Sequence, residues 1–393
     1  MTIVKNVKLP NEEITDIAIK DGIIEKIEKD ISLSNAKIID ANLSYALPLM
    51  IDLNITLRDN SLSVKNLDEL EKRALLAGFD TVVINVYIEE KTPLELLVKE
   101  LKNRKLNFIL KVSGLNRAEK LNNISILLKA GAKVIYENSD ISTNNIRRLI
   151  QYALMHKAPL FIFCQNRALN DNGVMNEADT SFELGLPGML KIGEISEVAK
   201  IASMSEYYKT PTLFQTISTI QSIEIIQNTK QNFENLYAEV SIHHLLKTDK
   251  SCEDFNTYAK INPPLRGEVQ QKSLLEALSD GKIDTITSLF SPQSITRKDL
   301  PFEQAEFGID MIEEFLPLAY TYLVKSGIIS MQRLVELTSK NPAKILGIEE
   351  NSLEVGKPAK FLLFNPNISK TIEDKNSIYF NDEIFGEITT KIS

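Results

Sequence analysis

Leu47-Pro48-Leu49-Met50-Ile51-Asp52-Leu53-Asn54-Ile55-Thr56-Leu57-Arg58 is the stretch on which the fold assignment turns. Its first half, Leu49 to Leu53, is a short apolar run of the kind that forms a strand buried on both faces, as in a parallel sheet. Leu67 to Ala77 follows with apolar residues at three- and four-residue spacing, the mark of a helix packed on one side. The same unit then recurs. Further strands are expected at Thr81 to Val86, Phe108 to Val112, Lys133 to Tyr136, Pro159 to Cys164, Thr212 to Gln215, Ala238 to Ile242 and Thr285 to Leu289. Between them the helical spacing returns at Pro93 to Leu101, Ile124 to Ala130, Ile146 to Met155, Ile195 to Tyr208, Ile217 to Asn228 and Val269 to Leu278. Eight βα units in about 250 residues is the size of a closed (β/α)8 barrel, an α/β fold of TIM type.

Outward from that core the pattern changes. Residues 1–46 read as short strands, Ile14 to Ile19, Ile23 to Ile27 and Lys37 to Ile39, with an Asp21-Gly22 turn. Residues 47–347 hold the barrel and two later helices, at Met311 to Ser326 and Met331 to Ser339. Residues 348–393 carry a strand-like Phe361 to Phe364 with no helical partner, which is expected to join the N-terminal strands in a small β-sandwich-like domain.

Composition narrows the function classes. The chain has 393 residues, 43% of them apolar, with 45 basic against 53 acidic side chains and a net charge of -8. No basic run is long enough to follow a phosphate backbone, so nucleic acid is not an expected partner. Cys164 and Cys252 lie too far apart in sequence for a disulfide framework or a clustered thiolate site and read as buried thiols of a reducing cytoplasm. No stretch has the length and apolarity of a membrane span, and Met1 to Glu13 has no export-signal pattern.

Several ordered segments carry a family resemblance. Leu47-Pro48 with Ile51-Asp52-Leu53 resembles the first barrel strand of the amidohydrolase superfamily, and Leu57-Arg58 narrows this to cyclic-amide hydrolases. Lys260-Ile261-Asn262-Pro263-Pro264-Leu265-Arg266 is similar to the loop after the seventh strand in dihydroorotases. Ile283-Asp284 with Pro292, then Asn341-Pro342-Ala343 with Ile345-Leu346-Gly347 and Gly356 before Phe361, are similar to that family's closing segments. Matches in order along nearly the whole chain are more specific than any lone motif.

The resemblance implies one or two zinc ions at the C-terminal mouth of the barrel, held by histidines and carboxylates. Here the frame is kept and the ligands are not. The strand-one histidine pair falls on Asn54 and Thr56, the strand-five histidine on Phe163, and the next histidine on Thr216. The strand-eight aspartate, metal ligand and general base in the family, falls on Leu289. For strand four the region is Tyr136 to Asp140, where Glu137 or Asp140 could stand in, although one carboxylate does not hold a zinc. No catalytic residue and no metal is therefore expected.

On the substrate side, the resemblance gives Arg58 the role of pairing with the dihydroorotate carboxylate, which suits a planar guanidinium. Asn262 matches a pyrimidine-ring contact, Gln293 stands where the family has a histidine, and Tyr87 where it has an asparagine. A buried ion pair of Arg58 with Asp52 or Asp59 is the competing reading. Arg266 and the paired prolines read as loop architecture. Of the three histidines, His156 reads as a surface or helix-end residue, and His243 and His244, adjacent on an extended segment, point to opposite sides. Cys164 has no histidine nearby in sequence to activate it. Ile217, Ile220, Ile223 and Ile226 read as core packing, and no Gly-rich phosphate loop follows a strand.

Loss of four ligands and the base together implies a dihydroorotase-like pseudoenzyme. As a family matter, such homologues are paired in some bacteria with the catalytic chain of aspartate carbamoyltransferase as structural or regulatory partners, and family members commonly form homodimers. Two alternatives stay open: an unconventional cyclic-amide hydrolase with a degenerate site, and a sensor that binds dihydroorotate or carbamoyl aspartate.

Overall fold

The computed structural model describes residues 1–33 and 36–392. The N-terminal segment forms five short strands: β1 (Thr2–Lys8), β2 (Ile14–Lys20), β3 (Ile23–Glu28), β4 (Lys37–Asp40) and β5 (Tyr45–Pro48). The chain then enters the barrel through β6 (Met50–Ile55), β7 (Phe79–Asn85), β8 (Asn107–Ser113), β9 (Val134–Asn138) and β10 (Leu160–Phe163). A two-stranded ribbon of β11 (Met175–Asn176) and β12 (Gly188–Met189) interrupts the alternation before β13 (Thr212–Gln215), β14 (Leu236–Ser241) and β15 (Thr285–Thr287). The eight barrel strands are parallel neighbours in chain order, and all eight fall on the segments expected from sequence.

Side chains close the barrel where its first and last strands meet. Asp52 of β6 accepts hydrogen bonds from Thr287 Oγ1 at 2.6 Å, Ser288 N at 2.8 Å and Ser288 Oγ at 2.6 Å. Just above, Thr56 N donates to Phe290 O at 2.9 Å. A buried carboxylate accepting several donors is well satisfied, so Asp52 acts as the stitch between β6 and β15.

The helix Val64–Ala77 shows how local chemistry sets the βα units. Ser63 caps it by accepting from Asn66 N, and Gly78 ends it at φ 94°. A Cβ on Gly78 would lie 2.6 Å from Leu362, so the turn back into β7 needs glycine for both backbone and space. The barrel interior is apolar in its lower layers, with Ile51, Leu53, Val83, Ile109, Val134, Phe161 and Leu213 packed together. Ala343 and Ile345 of the helix Asn341–Leu346 plug it from below.

The C-terminal segment supplies β16 (Phe361–Thr371) and β17 (Glu383–Ile392). β16 pairs antiparallel with β5, from Phe361 opposite Pro48 to Phe364 opposite Tyr45. This completes a seven-stranded sheet in the order β17-β16-β5-β1-β2-β3, with β4 on β1. Sequence reading found the Phe361 strand but neither β1 nor β17, whose apolar residues are diluted by lysine and threonine.

Several helical expectations shift, and one segment expected to be extended is helical. The helix expected from Ile217 begins only at Ile220, because Ser218 and Thr219 donate their backbone N–H groups to Glu194. The helix expected from Met311 begins at Phe315 and widens into a π turn at Tyr320–Val324. His243 and His244 lie on a short helix, Ile242–Leu246, and not on an extended segment. No helix among the described residues is long and apolar enough to cross a membrane.

Candidate functional site

In this fold, function gathers where the strands end at the C-terminal mouth. Alternation along each strand sets what points inward there: two residues above Ile109, Leu213 and Tyr237 come Lys111, Gln215 and Glu239. Lys111 is 2% exposed and Glu239 fully buried. Lys111 Nζ donates to Asn54 Oδ1 at 3.1 Å and to Gln215 Oε1 at 3.3 Å, and lies over the Tyr136 ring. Asn54 Nδ2 donates to Thr216 Oγ1 at 2.7 Å and to Glu239 Oε1 at 3.1 Å. Gln215 Nε2 donates to Leu53 O at 3.2 Å. One polar network thus spans the barrel axis with an ammonium group at its centre. Burial pushes the Lys111 ammonium down and the Glu239 carboxyl up, each toward its neutral form, while the attraction between the two groups opposes both shifts.

The positions at which the resemblance leads one to expect metal ligands surround this network. Asn54 and Thr216 belong to it, with Thr216 N donating to Glu239 Oε1 at 3.2 Å. Thr56 Oγ1 is buried without a hydrogen-bond partner. Phe163 is half-buried at the tip of β10, and Leu289 is buried just beyond β15. Thr216 and Leu289 both hold left-handed backbone, at φ 51° and 50°, strained for a β-branched and a bulky residue. The backbone is kinked at both positions, although a threonine hydroxyl is a weak metal ligand and leucine none. On strand four, Glu137 accepts from Ser113 Oγ and Leu115 N, both at 2.8 Å, and Asp140 pairs with Arg167 at 3.6 Å.

A zinc centre needs histidine, thiolate or carboxylate donors. These positions offer a phenyl ring, an isobutyl group, two hydroxyls and an amide whose oxygen already accepts from an ammonium. The residues do not fit the metal. Among the described residues, no three His, Cys, Asp or Glu side chains form a group suited to one.

The expected substrate contacts divide between two places. Arg58 and Gln293 line a cavity of about 210 Å³ that Asp310 and Asp374 also line. The Arg58 fork is occupied: Nε donates to Glu69 at 3.1 Å and an NH2 group to Asp310 at 2.8 Å, so neither Asp52 nor Asp59 is its partner. These carboxylates hold its guanidinium well above the usual arginine range. Gln293 Nε2 donates to Phe307 O at 3.2 Å while its Oε1 is buried without a partner. Asn262 instead donates to Gln165 Oε1 at 3.4 Å and lines a separate cavity of about 10 Å³ beside Phe163 and Cys164, room for about one water. Tyr87 is exposed beneath Arg117.

The histidines are structural. His243 bridges Tyr379 OH and Ser288 O, both at 2.9 Å, and His244 bridges Ser241 Oγ at 2.7 Å and Pro263 O at 3.1 Å. Burial lowers the two rings to about 4 and about 3, so both are neutral near pH 7. His156 meets Ser125 Oγ at 2.7 Å near the end of its helix. Arg266 is buried and donates to Ser218 Oγ at 3.0 Å, Asn176 Oδ1 at 3.1 Å and Met189 O at 3.0 Å, which ties the β11–β12 ribbon to the loop after β13. The Cys164 thiol is raised by burial and by Glu194 and Glu197, which keeps it protonated.

Sequence reading missed Lys111, Gln215, Glu239 and Glu194. A signal existed for two of them: Lys111 interrupts the apolar run Phe108 to Val112, and Glu239 lies between Ala238 and Val240. A lone charge inside a strand buried on both faces must meet a partner in the barrel.

No family model matches the chain. It is 32% identical over 392 residues to a dihydroorotase of Acetivibrio thermocellus, covering 95% of this chain and 92% of that protein. It is 31% identical over 374 residues to a dihydroorotase of Ruminiclostridium cellulolyticum, covering 93% and 87%. Among solved structures it is similar to an L-hydantoinase (dihydropyrimidinase) from Arthrobacter aurescens, with a TM-score of 0.86 at 21% identity over 99% of this chain and 94% of that one. A dihydropyrimidinase from Brevibacillus agri gives 0.84 at 18% identity over 100% and 93%. At such identities the structural likeness shows the fold alone.

Proposed function

The chain belongs to the dihydroorotase family, and from that premise we propose that it is a non-catalytic member, a structural or regulatory partner of the aspartate carbamoyltransferase catalytic chain in pyrimidine biosynthesis. One observation carries the non-catalytic part. Lys111 Nζ bonds Asn54 at a ligand position, on an axis where the family's chemistry needs a metal and a general base. Water activation requires a base poised near neutral pH and a Lewis acid. Phe163 and Leu289 supply neither, and Glu137 is held by Ser113 and Leu115. A scaffold needs only the barrel's outer surface, which the intact fold provides. The protein is proposed to work without zinc and as a homodimer.

The test is to mix the purified protein with aspartate carbamoyltransferase of the same organism, then measure complex mass by light scattering together with carbamoyltransferase activity. A stoichiometric complex with gained or altered activity is expected. Separate elution with unchanged activity would refute the partner role.

A further inference from the structure

The opposite end of the barrel carries an open cleft of about 640 Å³, within the size range of small-molecule sites. Lys102, Lys129, Lys133 and Lys157 line it, and no Asp or Glu does. The four lysines come from separate segments: the ends of the helices Lys91–Leu101, Ile124–Lys129 and Thr143–His156, and the entry to β9. Sequence scanning for basic runs could not see them together. None of the four forms an ion pair among the described residues; on the adjoining segments Glu100 pairs with Arg104 and Glu349 with Lys357, while Glu350, two residues beyond Ile348, forms no ion pair among the described residues. In a chain of net charge -8, a cleft with four uncompensated ammonium groups is an anomaly.

Helix ends explain only part of it. Three of these lysines lie at helix C-termini, where each helix presents roughly half a negative charge. That offsets about one and a half of the four positive charges and leaves the cleft strongly cationic. The floor between the lysines is apolar, formed by Val98, Leu128, Pro159 and Ile348.

We propose that this cleft binds an organic polyphosphate with an apolar or aromatic body, in the class of nucleoside di- and triphosphates. Lysine ammonium groups bind phosphates as flexible point charges, so four of them from separate segments can each meet a phosphate oxygen without a fixed fork geometry. Four charges around one cleft match several phosphates, and the apolar floor matches a base. The site lies on the face away from the mouth, so it does not depend on how the mouth is occupied.

Titration calorimetry of the full chain with a nucleoside triphosphate, tripolyphosphate and an unphosphorylated nucleoside, at low and moderate salt, tests this. The triphosphate is expected to bind with Kd below about 1 mM, more tightly than tripolyphosphate, and to weaken as salt rises. Lys129→Glu/Lys133→Glu should weaken it at least tenfold, as should Lys102→Ala/Lys157→Ala, while Lys250→Glu/Lys375→Glu on exposed sites elsewhere should not. Thermal melts check that every variant is folded. Absence of binding, or equal binding by the cleft variants, overturns the proposal. Equal affinity for tripolyphosphate overturns the assignment of the apolar floor. Binding of an acidic peptide but not of nucleotide assigns the cleft to a protein partner instead, and likewise overturns it.

Discussion

The two ends of the barrel treat charge in opposite ways. At the C-terminal mouth nearly every charged group meets a partner within the chain: Lys111 with Asn54 and Gln215, Asp52 with Thr287 and Ser288, Arg58 with Glu69 and Asp310, Arg266 with Ser218 and Asn176. At the N-terminal floor four lysines stand around an open cleft without carboxylates. A barrel of this fold ordinarily keeps binding capacity at the mouth and stability at the floor. Here a buried polar network fills the barrel axis at the mouth, beside an open cavity of about 680 Å³ lined by Glu137, Asp140 and Arg167, and the unpaired lysines lie at the other end.

Breaking the mouth should therefore cost stability. Lys111→Met leaves Glu239 and Asp52 without their buried cation and is expected to destabilise the chain by roughly 3–5 kcal/mol in urea unfolding. Adding Glu239→Gln should restore much of the loss, because removing both members of a buried pair costs less than orphaning one. A neutral single variant would mean that the ammonium is not part of the core.

Acid should weaken the mouth next. His243 and His244 titrate near 6.5 when unfolded and near 4 and 3 when folded, so below pH 6.5 the unfolded chain binds protons that the native chain refuses. Stability should fall by roughly 1.4 kcal/mol per pH unit for each ring, until about pH 4 for His243 and about pH 3 for His244. Unfolding midpoints between pH 7 and 5 measure the slope, and His244→Gln should remove about half of it.

Arg58→Ala should cost only about 1 kcal/mol, since its carboxylate partners are partly solvent-exposed. A much larger loss would place Arg58 in the core proper. Smallest of all, Lys129→Ala/Lys133→Ala at the floor should change stability by less than about 0.5 kcal/mol, because neither side chain is paired. A substantial loss there would make the floor structural and erase the contrast.

Much of the fold was legible in the sequence because βα periodicity is local: the runs from Leu49 to Leu53 through Thr285 to Leu289 all form barrel strands. Sheet partners were less so, since β1 and β17 are strands by virtue of pairing with β2 and β16 more than by their own composition. The positions where the resemblance expects ligands could be named from the frame around them. That Lys111, Gln215 and Glu239 meet there could not, because they come from three strands whose meeting depends on barrel closure. The lysine cleft was hidden for the same reason, its members being spread from Lys102 to Lys157.

The most direct test of the central claim is zinc content, measured by mass spectrometry on protein expressed in zinc-supplemented medium and dialysed, alongside ring opening of dihydroorotate. A lysine-centred barrel axis without metal ligands predicts well under one zinc per chain and no turnover. A stoichiometric zinc, with ring opening that rises and falls with the metal, would contradict it.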